Sequence, residues 1–584
     1  MDIETILKNT IRPLSDGYYV TDGYLFFQPK PLPNKDKEPY PVCICSALSI
    51  VARTRNIEGR QHGRLLEFKD SDNKQKVVPI ACSSMQTDGT EVRQHLADQG
   101  LEIMPYKQSR DLFNQFIVMS QPEQTALCVD RLGWYDNFHA YILPDRTIGS
   151  TGDERIVYQP GDLGVRSSIK EHGSLKEWQE LSTLCAGNSR LVMAVCTALA
   201  APLVELTGAE SGGFNFVGGS STGKTTALFV AASVYGDPNY LNRWRATGNG
   251  LEAMAAAHNN ALLILDELAQ VSPLEAGEIA YMLANGSGKA RASVSGGSRP
   301  IARWSLLFLS AGEISLVQHM QEGGKKTRAG QEVRMVDIPA QADAGMGLFE
   351  NLHDIESPAR FAEIIRDKVA HAYGQPIVHF LEQLTDHIAK DKISLLDAIR
   401  DTVQSFTEQV VPLSADGQVR RVAHRFGLVA AAGELATNAG ITGWNEGEAM
   451  AGVTICFQAW LSERGGIGSQ EERAILEQVR YFFQSHGDSR FSEVNKGGDD
   501  VYTVPLNRAG FRKKENDDTI FMVFPEVFKA EVAKGFNPRL VARLSVQAGY
   551  LLPDNSDKHS QSRRTPGTNK KARFYVFTTQ VLGG

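Results

Sequence analysis

The segment Gly218-Gly-Ser-Ser-Thr-Gly-Lys-Thr225 fits the pattern G-x-x-x-x-G-K-[ST] at every fixed position. This loop constrains the fold because it works only between a strand and a helix. Its glycines let backbone N–H groups converge on an anion, and the N-terminus of the following helix favours negative charge. The flanks supply that setting. Gly213-Phe-Asn-Phe-Val217 reads as a buried strand and Thr225-Thr-Ala-Leu-Phe-Val-Ala-Ala-Ser-Val234 as a helix. A Gly-rich turn with no ligand is the bland alternative, and the strand–loop–helix context argues against it. The candidate phosphate-binding residues are therefore Gly218, Gly219, Ser220, Ser221, Thr222, Gly223, Lys224, Thr225 and Thr226. Lys224 is placed to reach the β- and γ-phosphates, and the Thr225 hydroxyl to ligate Mg²⁺.

Forty-two residues after Lys224, the run Ala261-Leu-Leu-Ile-Leu ends in Asp266-Glu267. An apolar run closed by two acids reads as a buried parallel strand with carboxylates at its C-terminal edge, where open α/β sheets bind ligands. Asp266 is the candidate metal ligand and Glu267 the candidate base for an attacking water. Arg303-Trp-Ser-Leu-Leu-Phe-Leu309 is a third such strand, tipped by Ser310, which is either a water-orienting residue or the N-cap of the next helix. Val333-Arg-Met-Val-Asp-Ile-Pro339 is a fourth, entered by Arg334, with Arg328 as competitor for the same role. Between Asp266 and Trp304 the chain reads Asn285-Gly-Ser-Gly-Lys-Ala-Arg-Ala-Ser-Val-Ser-Gly-Gly-Ser-Arg-Pro300. Lys289, Arg291 and Ser293 alternate onto one strand face, and Gly296-Gly297 signals a hairpin turn. With Arg299 and Arg303 this stretch carries four cations and no acid, which suits a phosphate backbone; a solvated edge hairpin is the plain alternative.

The pattern along the chain predicts a multidomain α/β protein. Residues 1–150 read as a β-rich N-terminal domain, including strands at Phe116–Met119 and Ala140–Pro144. The P-loop core is expected over 170–345, a helical region over 355–465, and a C-terminal α+β domain over 468–584. In the last, Ser469–Phe483 and Asn537–Gly549 read as helices. Tyr550–Leu552 and Ala572–Thr578 read as strands around a polar, mobile loop from Asp554 to Lys571. Helix followed by a two-stranded wing with Arg563, Arg564, Lys570 and Lys571 near its tip suggests a winged helix on DNA.

Two expectations concern compartment. The apolar run Leu191–Leu206 contains Pro202 and Glu205 and falls short of the about 20 residues a bilayer span needs, so it reads as a buried helix. Seven dispersed Cys with no C-x-x-C, no H-E-x-x-H, and an N-terminus without a secretory pattern point to a reduced, cytoplasmic chain lacking zinc or disulfide frameworks.

The ordered set of phosphate loop, acidic pair, basic hairpin, Ser-tipped strand and Arg-led strand resembles the AAA+ ATPases of the helicase clade. It is similar to the MCM and superfamily-three replicative helicases, which insert a β-hairpin before the third of these strands. Asn285–Arg291, Ser310-Ala-Gly-Glu313, Arg328-Ala-Gly-Gln-Glu-Val-Arg334 and, further upstream, Gly133-Trp134…Leu143-Pro144-Asp145 look like a bacterial family long described only as being of unknown function. Its members travel on integrative elements, phages and chromosomal cassettes, often beside a primase. The resemblance implies an AAA+ core with a pre-sensor β-hairpin, a helical lid and a homohexameric ring. It implies ATP and Mg²⁺ as cofactors, with single-stranded or forked DNA and a primase or initiator as partners. By resemblance Glu267 is the catalytic base, Ser310 the sensor, Arg334 the finger acting in trans, and Lys289 and Arg291 the translocating DNA contacts. A second sensor arginine has three candidates in the lid, Arg420, Arg421 and Arg425. A protein-remodelling ATPase and a nucleotide-regulated DNA-binding module are the rival readings.

Net charge alone, −7 from 61 Lys+Arg and 68 Asp+Glu, argues against nucleic acid. Its distribution does not. Residues 501–584 carry 14 Lys and Arg against 7 Asp and Glu, so an acidic body carries a basic C-terminal region and a basic hairpin.

Overall fold

The computed structural model describes residues 12–15, 17–31, 39–152, 154–160, 168–290, 301–325, 329–494, 504–515, 518–554, 559–566, 568 and 570–582. The chain packs into two compact units, one of residues 1–413 with 419–463, the other of residues 414–418 with 464–584.

At the centre of the first unit lies a five-stranded parallel sheet. Its order is Asn242–Arg243, Leu262–Asp266, Leu307–Gly312, Gly212–Val217 and Met335–Pro339. Helices cover both faces, so the strands are apolar along nearly their whole length. Leu262, Leu263, Ile264 and Leu265 are fully buried, as are Leu307, Phe308 and Leu309. The strand preceding the phosphate loop sits between the fourth and fifth strands in chain order, a pairing that only crossover helices permit. Because all five run the same way, every strand delivers its C-terminal end to one edge.

The buried-helix reading of the Leu191 run holds: every residue of helix Ser189–Ala200 is buried, and no helix among the described residues is long and apolar enough to cross a membrane. The helical stretch beyond the sheet comprises Pro358–His371, Gln375–Val410, Gly417–Asn438 and Glu448–Glu463, the second of these broken at Asp391.

The N-terminal part is less uniformly β than expected. A five-stranded sheet, including Leu48–Asn56, Gly63–Lys69 and Gln75–Ala81, packs with helices Thr90–Asp98 and Lys107–Met119. The strand expected at Phe116–Met119 is the end of the second helix. Phe113, Phe116 and Ile117 lie at helical spacing and are buried together with Leu96 and Val92 in one cluster. A four-residue apolar window cannot separate the two periods. The Gly133-Trp134 pattern docks this part on the central sheet. Gly133 has φ +98°, and a β-carbon there would fall 2.2 Å from Asn260 Oδ1. Trp134 N–H donates to that same oxygen at 3.0 Å, and Trp134 Nε1 donates to the Pro202 carbonyl at 2.7 Å.

The second unit is α+β. A six-stranded sheet carries helices Gln470–His486 and Pro538–Gln547 over a core that includes Ile475, Phe483, Phe521, Val541 and Phe577. Ser469 and Asn537 cap the two helices as their sequences require. The segment Asp554–Lys571 is not simply a loop. Gln561–Arg564 forms a strand paired antiparallel with Lys571–Phe574, while Leu551–Leu552 pairs further along the same strand. Polar and basic side chains hid this strand because one of its faces meets solvent.

Candidate nucleotide site and its basic surfaces

The phosphate loop leaves the sheet at Val217 and enters helix Lys224–Ser233 through Gly223, whose φ of +95° is open to glycine. Ser221 also takes a positive φ, +62°. The loop is braced from behind by the chain after the last strand. Leu348 N–H donates to the Thr222 carbonyl at 2.9 Å, and a β-carbon on Gly347 would meet that carbonyl oxygen at 2.6 Å. The buried Arg190 ties the same region down, donating to the Pro339 and Gln341 carbonyls at 3.1 and 3.2 Å. Lys224 Nζ folds onto its own loop, donating to the Gly218 and Gly219 carbonyls, both at 2.7 Å. Thr226, named with the loop by its motif, is fully buried beneath it, so its side chain belongs to the core.

Thr225 and Asp266 come together as expected, the hydroxyl donating to Oδ2 at 3.3 Å. Partial burial pushes the Asp266 carboxyl up and the Lys224 amine down from their ordinary values. Burial thus disfavours the charged form of each group, and a polyanion with a hard cation would offset both effects. The pair offers oxygen ligands only, which suits Mg²⁺, an ion usually held by one or two carboxylates plus substrate phosphates. Glu267 sits in the left-handed region at φ +61°, a conformation that costs a non-glycine residue about 1–3 kcal/mol and recurs at functional sites. Its carboxylate is exposed at the sheet edge and accepts from the Gln270 amide. Sequence reasoning passed over Glu313. It directly follows strand Leu307–Gly312, is exposed, and acts on Lys224 electrostatically ahead of Asp266. Its position directly after the strand tip is the signal that was available.

Ser310 is closed off from this edge. It lies two residues before the end of strand Leu307–Gly312, is fully buried, and its Oγ accepts from the Trp244 indole at 2.9 Å. The N-cap of the next helix is Ser315, not Ser310. In register with Ser310 stand Asn215 on the P-loop strand and, beyond it, Asp337. Asn215 Nδ2 donates to Asp337 Oδ1 at 2.7 Å, and Leu316 N–H donates to Oδ2 at 3.3 Å. Burial pushes the Asp337 carboxyl up to about 7 despite these donors. A carboxyl raised in the folded state stabilises fold only while protonated. That contribution is complete below its unfolded value near 3.8 and is lost as pH rises through about 7. Asp337→Asn is therefore expected to gain on the wild type by about 2 kcal/mol between pH 5.5 and 8.5. Melting curves of both proteins at the two pH values check this; parallel curves would refute it.

Arg334 occupies the opposite edge. It immediately precedes strand Met335–Pro339, whose first residue pairs with Gly213 and whose last pairs with Val217. A strand of this length, at about 3.3 Å per residue, puts Arg334 roughly 15–20 Å from its own phosphate loop. Its guanidinium stacks over Tyr281 at 4.2 Å and donates to Asn285 Oδ1 and the Gly330 carbonyl. The competing Arg328 lies outside the described residues. The lid candidates share Arg334's edge. Arg425 is buried and donates to the Val333 carbonyl at 2.8 Å, Arg421 pairs with Glu210 at 3.7 Å, and Arg420 donates to the Leu413 carbonyl. None of the three faces its own chain's loop.

The root of the basic hairpin is formed. Ser287 bridges Arg303 antiparallel, and Gly288 N–H donates to the Ala302 carbonyl at 2.9 Å. Lys289 and Arg303 are both exposed there. Arg291, Ser293, Gly296, Gly297 and Arg299 lie outside the described residues. On the second unit, Arg563 is engaged, ion-paired to Glu515 at 2.5 Å, and faces away from the other cations. Arg564 stands directly opposite Lys571, and Arg573 continues the same exposed face, with Lys570 exposed beside it. Like charges set opposite each other weaken a strand pair. Arg539 and Arg543, four apart on helix Pro538–Gln547, are exposed as well and were missed because the sequence reading looked only to the loop.

A family model described as a domain of unknown function, DUF927, matches residues 21–303, just under half of the chain. No curated protein matches. Among solved structures, the chain is similar to one described as "SCCmec type IV Cch - active helicase". The match has a TM-score of 0.65 and 17% identity over 98% of this chain and 100% of that one. A second, the apo form of the C-terminal region of NrS-1, aligns at 10% identity over 67% of this chain and 87% of that one, with a TM-score of 0.26. The first likeness is one of fold.

Proposed function

We propose that this chain is an AAA+ ATPase that assembles as a homohexameric ring, translocates on single-stranded DNA and unwinds duplex during replication of a mobile genetic element. One observation carries the reading: Lys224, Asp266 and Glu267 meet at one edge of a single parallel sheet while Arg334 stands at the other. That division suits a head-to-tail ring in which each subunit's arginine completes its neighbour's site. The strand order, with the P-loop strand between the Ser310 and Asp337 strands, and the formed hairpin root between the second and third sheet strands point the same way. The fold likeness to a helicase over nearly the whole chain agrees with it.

In this reading the loop amides and Lys224 hold the ATP phosphates, and Thr225 and Asp266 hold Mg²⁺, which neutralises charge across the phosphate oxygens when bound. Glu267 orients the attacking water and accepts its proton. Glu313 tunes Lys224 from the strand tip. Ser310 acts as a positioning residue through Trp244 rather than touching the γ-phosphate. Lys289, Arg291 and Arg303 grip the strand in the channel. Arg564, Lys570, Lys571, Arg539 and Arg543 meet duplex phosphates. A primase or initiator of the same element is the expected partner, in the cytoplasm.

Strand displacement from a forked duplex with ATP and Mg²⁺ is the test. Wild type is expected to unwind it. Lys289→Ala/Arg303→Ala is expected to lose at least tenfold in unwinding while keeping ATPase within about threefold, because these cations contact backbone rather than nucleotide. Wild-type ATPase without any strand displacement would favour a remodelling ATPase instead.

A further inference from the structure

Beside the edge of the sheet that carries Arg334, and joined to it through Arg425, lies a cavity of about 860 Å³. It lies between the turn Leu206–Glu210, the C-terminal half of helix Gln375–Val410 and the start of helix Gly417–Asn438. Leu206, Ile399, Val403 and Leu428 give it apolar walls, and Arg420, Arg421 and Arg425 line it with Glu210. Its volume falls in the roughly 300–1,000 Å³ range of small-molecule sites.

Its charge is not balanced. Arg425 is 6% exposed, and its Nε is buried with no hydrogen-bond partner. Its guanidinium rests against Gly212, where a β-carbon would fall 2.3 Å from Cζ. Among the described residues no carboxylate makes an ion pair with it. Arg334 and Arg421 both act against its charge, Glu210 acts in favour, and burial pushes it down to about 10. A charge buried without a counter-ion is costly. An anionic head entering among Arg420, Arg421 and Arg425 would relieve that cost, while the apolar walls would take a hydrocarbon or aromatic body.

We propose that this cavity binds a small amphipathic organic anion, with an apolar body and one carboxylate, sulfonate or phosphate head, and that the ligand acts on ATP turnover through Arg425. The route is short. Arg425 donates to the Val333 carbonyl, and Val333 is the residue before Arg334. An anion that draws Arg425 toward the cavity loosens its hold on Val333 and shifts the arginine next to it. The binding half stands on the cavity alone; the regulatory half rests on the role proposed for Arg334.

The probe is 1-anilinonaphthalene-8-sulfonate titrated against the full chain by fluorescence and calorimetry. One saturable site is expected, with N-phenyl-1-naphthylamine, which lacks the sulfonate, at least tenfold weaker. Val403→Trp fills the cavity and is expected to abolish binding while leaving basal ATPase and melting temperature unchanged. Arg421→Ala keeps the cavity and is expected to weaken the sulfonate at least fivefold but not the neutral compound. The sulfonate is expected to change wild-type ATPase at least twofold and that of Val403→Trp not at all. Equal affinity for the two compounds, or binding that survives both substitutions, overturns the site. Probe binding that vanishes as the chain self-associates also overturns it, since a second copy then fills the cavity. Binding without any change in ATPase overturns the regulatory half. A wild type with no ATPase at any probe concentration counts against the ATPase reading and leaves the binding result to decide the site.

Discussion

Lys224→Ala is expected to lower kcat/KM for ATP by on the order of 10³-fold, with a melting temperature within a few degrees of wild type. The ammonium is the cation carried by the loop itself, and preorganised donors aimed at developing phosphate charge are worth about 10²–10³ each in a water-poor site. Its fold contribution is small, because its partners are the Gly218 and Gly219 carbonyls, which water replaces in the variant. Glu267→Gln is expected to fall as far in kcat while retaining nucleotide binding, which separates the water-activating role from the phosphate-holding one. Phosphate release and nucleotide binding, measured on the same preparations, check both. A Lys224→Ala protein within threefold of wild type in phosphate release would end the nucleotide reading.

The second large effect concerns Arg334. Arg334→Ala is expected to lose on the order of 10³-fold in ATP turnover with nucleotide affinity nearly intact, as for an arginine that acts on transition-state charge. Its distance from its own loop makes a sharper outcome available. A Lys224→Ala subunit keeps Arg334, and an Arg334→Ala subunit keeps a complete phosphate loop. In a random equal mixture about a quarter of head-to-tail interfaces pair the intact arginine with the intact loop. The mixture is therefore expected to recover about that fraction of wild-type turnover, where each variant alone is silent. Mixing after subunit exchange, followed by phosphate release, decides it. No recovery, from variants that assemble normally, would place the arginine's work inside its own subunit or elsewhere.

Some of this site was legible in the sequence and some was not, for physical reasons. The strand–loop–helix around Gly218–Thr225 and the strand that ends at Asp266 were readable because contiguous residues mark both, and contiguity survives in one dimension. The helices from Leu175 onward were readable from their long apolar period. Phe116–Met119 was misread because four apolar residues fit either period, and only packing against Val92 and Leu96 settles it. The row Ser310, Asn215, Asp337 was invisible. It exists only through parallel pairing of strands about 95 and 120 residues apart in sequence. Asn215 and Asp337 were read as ordinary members of apolar strands. Ser310 was noticed for its position in the sequence, yet the Trp244 indole that closes it off comes from a loop 66 residues away. Arg563 and Arg564 look identical in the sequence. Strand alternation sends the first to Glu515 and the second to solvent.

The fold of Lys224 onto its own loop has one more consequence. In the nucleotide site proposed above, a phosphate would have to break the bonds to Gly218 and Gly219 before it gains the ammonium. The loop is thus its own competitive inhibitor, present at fixed effective concentration. For a ligand that recruits Lys224, apparent affinity would be the intrinsic affinity multiplied by the fraction of time the lysine is released. A ligand with one phosphate, too short to recruit Lys224, escapes that penalty and also forgoes the contact. The proposed site would then discriminate between mono- and triphosphates partly through a resting hydrogen bond, before any contact with the base.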